Sequence, residues 1–120
     1  MSRDHRKLKV FGLADELVVN AYRSTQSFPV EERYGLQAQI RRAAVSVPTN
    51  IVEGCARTST KDYVHFLTVA LGSASETRYL ADLSRRLGVL STAEAKTLEL
   101  RYAELVRGLQ KLVTALARTT

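Results

Sequence analysis

The stretch from Leu36 to Arg57 reads LQAQIRRAAVSVPTNIVEGCAR. Advancing ~100° per residue, Leu36, Ile40, Ala43, Ala44, Val47, Ile51 and Cys55 fall on one face, the mark of an amphipathic helix. Pro48 lies inside it. A proline there donates no amide hydrogen to the carbonyl of Ala44 and crowds it with its ring, which predicts a kink or a break into two shorter helices. The apolar stripe continues across Pro48, so a single kinked helix is expected.

Upstream, Phe11, Ala14, Val18, Ala21, Tyr22 and Thr25 share a face, predicting a first helix from Val10 to Thr25. The intervening Gln26 to Gly35 holds Phe28-Pro29 and the acidic pair Glu31 and Glu32, and reads as a loop or short helical turn. Downstream, Ser59 followed by Asp62 resembles a capping box, opening a third helix that ends near Leu87, with Gly88 just beyond. Ser91 with Glu94 opens a fourth, whose stripe is Leu98, Tyr102, Leu105, Leu109, Leu112, Val113 and Leu116. Short connections force antiparallel neighbours. The expected fold is all-α, an up-and-down antiparallel four-helix bundle over residues 10–120 with its second helix kinked at Pro48, preceded by a basic tail over residues 1–9. No strand pattern, repeat or linker interrupts it.

The third helix carries apolar residues on two sides. Tyr63, Phe66, Leu67, Ala70, Ala74 and Ala81 occupy one, while Val69, Leu80, Leu83 and Leu87 lie on another. One bundle core is not expected to bury both. Val69, Leu80, Leu83 and Leu87 are therefore read as the interface of a homo-oligomer, the plainer alternative being a loop folded over them.

On the second helix, Arg42, Ser46, Asn50, Glu53 and Arg57 gather in a sector of ~80° beside the apolar face. Groups half buried in this way are unfavourable unless paired. The expectation is a structural polar ladder in which Glu53 accepts from an arginine, Asn50 bridges backbone or hydroxyl groups, and Glu76 of the third helix takes part. Catalysis by Glu53, Asn50 and Arg57 would need an open pocket and a carboxyl group with a displaced pKa, and neither is expected.

At 120 residues the chain suits one domain. With no apolar run near the ~18 residues that span a bilayer, no membrane partner is expected. The opening Arg3, Asp4, His5, Arg6, Lys7 and Lys9 lead into no apolar segment of the kind a secretory signal needs, so a cytoplasmic location is expected. The single cysteine, Cys55, has no partner for an internal disulfide and is read as a buried, inert thiol. His5 and His65 have no evident partner, and neither inward Glu-x-x-His pairs nor a phosphate-binding glycine loop is found. No catalytic residue, metal ligand or cofactor is assigned. Gly54 and the Gly72-Ser73-Ala74-Ser75 run read as small residues that let helices approach.

The run from Phe28-Pro29 through Glu31, Tyr34-Gly35-Leu36 and on along Gln39 to Gly54 resembles the four-helix bundle proteins encoded by intervening sequences in bacterial 23S ribosomal RNA genes. Arg57, Lys61-Asp62-Tyr63 and the segment from Ala70 to Glu76 extend the likeness over nearly all of the chain from Phe11. It implies a ring-like homopentamer without established enzymatic activity. That family is similar in turn to accessory proteins of diversity-generating retroelements, basic pentameric barrels thought to engage RNA or DNA and a reverse transcriptase. Val47 and Val52 stand where isoleucine and alanine are commoner.

The formal net charge is +6. Between Arg33 and Lys61, the cations Arg33, Arg41, Arg42, Arg57 and Lys61 oppose only Glu53, and they form the candidate nucleic-acid-binding set. Without an aromatic stacking platform or a reading helix, recognition would rest on charge and shape. The leading expectation is a non-enzymatic oligomer associated with RNA or DNA. The alternative is a protein–protein interaction scaffold whose charge serves only to keep it dissolved.

Overall fold

A computed structural model describes residues 3–119. Met1 and Ser2 of the expected tail, and Thr120 at the end of the expected bundle, lie outside the described residues. Four helices run Lys9–Thr25 (α1), Leu36–Cys55 (α2), Thr60–Arg86 (α3) and Thr92–Ala117 (α4), with short 3-10 turns at His5–Lys7 and Val30–Glu32. No strand occurs among the described residues. The molecule is a rod of 45 × 21 × 19 Å. Each helix packs on its neighbours in sequence and α1 closes against α4, while the diagonal pairs do not meet among the described residues. This is the antiparallel up-and-down bundle.

All seven residues of the α2 stripe are buried, as are Leu98, Tyr102, Leu105 and Leu109 of α4. On α1 the core takes Ala14, Ala21 and Thr25 together with Leu17, while Tyr22 turns outward at 40% exposure. Helix α2 passes through the buried Pro48 without interruption, which removes the two-helix alternative. The kink expected there remains an expectation from the lost bond to Ala44.

Local chemistry sets the ends. Ser59 Oγ accepts from the Asp62 amide at 3.1 Å and Ser91 Oγ from the Glu94 amide at 3.2 Å, so both serines cap the helices that follow them. Beyond α3, Gly88 adopts φ +79°, the Val89 amide reaches the Ser84 carbonyl at 3.0 Å and the Gly88 amide reaches Arg85 at 3.0 Å. That pair of bonds is a Schellman closure, and the left-handed glycine makes it cheap. Helices α2 and α3 approach closely at Gly54, where a Cβ would lie 3.0 Å from Phe66 Cβ and 3.2 Å from a Tyr63 ring carbon. Gly72 faces open space instead, while Ala70 and Ala74 on either side of it enter the packing.

The expected second face of α3 needs correction. Leu80 is 5% exposed and belongs to the core, and Leu83 packs partly against it. Val69 and Leu87 are exposed at 39% and 60%. The reason is topological: α3 lies between α2 and α4 and touches both, so Leu80 and Leu83 are covered within the chain, whereas Val69 and Leu87 stay exposed.

Candidate nucleic-acid interface

The antiparallel arrangement brings the starts of α1 and α3 and the ends of α2 and α4 to one end of the rod. Three segments meet there. Residues 3–10 contribute Arg3, Arg6, Lys7 and Lys9 against Asp4; residues 54–65 contribute Arg57 and Lys61 against Asp62; residues 107–118 contribute Arg107, Lys111 and Arg118. Nine cations stand against Asp4 and Asp62 within these segments and Glu53 and Glu104 at their edges, which leaves +5 of the chain's total of +6 at this end. Lys9 is the first residue of α1, whose first turn contains no acid. A cation at the positive end of a helix dipole is unfavourable for the helix and strengthens the field outside it.

The five sequence-assigned cations do not form one patch. Arg33 follows the Val30–Glu32 turn at the opposite end of the rod, with the 20-residue α2 between it and Arg57. Arg41 is taken up inside the fold: its Nε donates to Thr25 Oγ1 at 2.9 Å, its Nη2 donates to the Tyr22 carbonyl at 3.1 Å, and it lies 4.5 Å from the centre of the Tyr22 ring. It closes the last turn of α1, whose carbonyls have no partner within the helix. Arg42 pairs with Glu76 at 3.0 Å halfway along the rod. Arg57 and Lys61 remain at the charged end, with the Arg57 guanidinium 4.6 Å from the centre of the Phe66 ring.

The polar ladder divides into three pieces. Asn50 Nδ2 donates to the Ser46 carbonyl at 2.8 Å and to Ser46 Oγ at 3.0 Å, and Ser46 shares a hydrogen bond of 2.8 Å with Ser73 across the α2–α3 seam. Arg42 and Glu76 form a separate exposed pair. Glu53 is 53% exposed and meets only Arg57, at 3.8 Å. The expectation that Glu53 joins a half-buried network is therefore corrected: its side chain hangs in solvent at the outer edge of the sector.

Around the charged end, residues 3–8 form a strap. The Arg3 amide donates to the Cys55 carbonyl at 2.7 Å, Asp4 caps the turn through the Arg6 amide at 3.0 Å, and the His5 ring meets Phe11 edge-on at 4.7 Å. The Arg6 side chain, hydrogen-bonded to Asp4, holds that carboxyl below its ordinary value. Under the strap, burial pushes the Tyr63 phenol up to about 12, with the adjoining Cys55 thiol adding to the effect, and burial also raises the Cys55 thiol. A raised thiol is a poor nucleophile, in keeping with a packing role. Beside the strap, Lys9, Val10, Leu13, Glu104, Arg107, Gly108 and Lys111 line a shallow groove of about 300 Å³ between α1 and α4. No cluster of three or more metal-ligating side chains occurs among the described residues, and no helix is long and apolar enough to cross a membrane.

Residues 6–111, from the strap to the α4 side of the charged end, match the 23S rRNA-intervening sequence protein family. The chain belongs to that family. Among solved structures it is similar to a protein of unknown function from the S23 ribosomal protein family of Bacteroides thetaiotaomicron, with 23% identity and a TM-score of 0.81 over 88% of this chain and 95% of that one. At that identity the likeness shows the fold. None of the curated proteins matches.

In this member of the 23S rRNA-intervening sequence proteins, Arg107, Lys111 and Arg118 complete the charged end, and sequence reasoning had not assigned them. Their spacing puts them on one outward face of α4, which was readable. That this face stands beside Lys9 required the closure of α1 on α4.

Proposed function

We propose that this chain is a non-enzymatic, cytoplasmic homo-oligomer that binds the phosphate backbone of structured RNA or duplex DNA with the basic end of its bundle. The observation that carries this reading is the concentration of +5 on one end of a rod whose remainder is nearly neutral. A localised field of that kind attracts polyanions and releases their counterions, giving an affinity that falls steeply with salt. Tyr63 is buried and Phe66 lies beneath Arg57, so neither ring is free to stack on bases and contact is through charge and shape. The test is fluorescence anisotropy of a labelled RNA hairpin and a DNA duplex, titrated from ~50 to ~200 mM salt. Lys61→Glu combined with Lys111→Glu should weaken binding at least tenfold at the lower salt, whereas Arg33→Glu should change it less than threefold. Absence of binding at low salt, or indifference to the Lys61 and Lys111 changes, overturns the reading.

A protein-interaction surface is favoured by a separate observation. Along the α1–α2 seam, continuing from the Tyr22–Arg41 stack, Val19, Tyr22, Val45 and Val52 are 48%, 40%, 38% and 38% exposed. A second copy of the chain would cover them, and this seam takes over the assembly role first assigned to Leu80 and Leu83. Five copies, the number implied by the family resemblance, would have a mass of about 66 kDa from 13.3 kDa each. Light scattering coupled to size exclusion decides it; a monomer at high concentration removes the oligomer from the proposal.

A further inference from the structure

One cation at the basic end is turned inward. Arg3 lies with its guanidinium carbon 4.0 Å from the centre of the Tyr63 ring, and its Nη2 donates to Thr60 Oγ1 at 3.3 Å. Its Nη1 is buried and makes no hydrogen bond among the described residues. Its backbone amide is bonded to the last residue of α2, so both ends of Arg3 grip the α2–α3 corner. Tyr63 is itself 2% exposed, and the stacked pair is shielded from solvent, which strengthens a cation–π contact. The rest of the strap follows from that anchor: the Asp4 cap, the His5 ring on Phe11, and Leu8 packed on the core. Lys7 is left exposed on top of it, as is Arg6, whose Nε and Nη2 donate to the Asp4 carboxylate.

We propose that Arg3, seated on Tyr63, is a positioning residue that latches the strap so that Arg6 and Lys7 stand ready beside Arg57 and Lys61 to receive phosphate. This rests on the reading of the basic end as a phosphate-binding surface. A strap held in place before contact spares the ordering entropy that a free arm loses on binding, so the latch raises affinity without Arg3 touching the ligand.

The experiment compares Arg3→Gln and Tyr63→Leu with Lys61→Gln, and uses Tyr63→Phe, which keeps the ring, as the rescue. Hydrogen exchange at the strap amides reports the latch, circular dichroism reports the helices, and anisotropy with the RNA hairpin reports affinity. In Arg3→Gln the strap amides should lose protection while helicity holds, and affinity should fall at least tenfold, well beyond the loss from Lys61→Gln. Tyr63→Phe should match the unaltered chain in both respects. Retained protection in Arg3→Gln overturns the latch, and so does lost protection with affinity no lower than in Lys61→Gln. If Lys61→Gln and Lys111→Gln leave binding untouched, the basic-end reading itself has failed, and the latch falls with it for a reason the exchange data do not share.

Discussion

Arg41 Nε sits 2.9 Å from Thr25 Oγ1, and the same guanidinium reaches back to the Tyr22 carbonyl, so a residue of α2 finishes the last turn of α1. A cation so placed is part of the fold. Arg41→Ala should cost about 1 to 3 kcal/mol, the loss of charge-assisted hydrogen bonds to partly buried acceptors. It should leave nucleic-acid affinity within twofold. Urea unfolding and anisotropy on one preparation check both halves.

Glu53→Ala should change stability by less than about 0.5 kcal/mol, because its long, exposed contact with Arg57 is of a kind that contributes little. Gly54→Ala, one residue away, should destabilise by about 1 to 3 kcal/mol, since the added methyl overpacks the α2–α3 contact at Phe66 and Tyr63. A thermal melt showing the reverse order would contradict the placement of both residues.

Leu80→Ala should lower stability by about 2 to 5 kcal/mol through the cavity it leaves. Val45→Glu with Val52→Glu should instead keep the helical spectrum and reduce the mass measured in solution. Full-size assembly in that double variant would locate the contact elsewhere.

Raising the pH above 10 should destabilise the bundle through its buried phenols. The Tyr63 phenol has an ordinary value of 10.0 and is held at about 12 in the folded chain, and Tyr102 is raised further by burial alone. A raised folded-state value means the folded chain keeps its proton where the unfolded chain has lost it. The stabilising contribution is whole below pH 10 and disappears as pH climbs through 12. Melting temperatures measured from pH 9 to 11.5 should fall across the upper half of that range, and Tyr63→Phe should flatten part of the decline.

The residues that were legible are those whose position depends on local periodicity. The α2 stripe from Leu36 to Cys55 and the Ser59 and Ser91 caps need only their own helix to be recognised. What escaped depends on partners distant in sequence or space. Arg41 was counted as a surface charge because its acceptors, Thr25 and Tyr22, lie across a loop. Glu32, whose carboxylate caps α2 through the Leu36 amide at 3.1 Å, was hidden in a segment read as a loop or short helical turn. Leu80 was placed outside because a single wheel cannot show that α3 has neighbours on both sides. In the polar sector Ser46, on its inner edge, meets Ser73 and holds Asn50, whereas Glu53 on the outer edge is half exposed and pairs with Arg57 alone among the described residues.

Consider the lopsided charge of the rod in a closed ring. Rotation about the ring axis leaves each rod's direction along that axis unchanged, so rods standing side by side would present every charged tip on one rim. Such a particle has two unlike faces. One adheres to polyanions; the other, nearly neutral and carrying the exposed Tyr34 and Val30, is left facing away from them. An assembly of identical subunits would thereby acquire a front and a back.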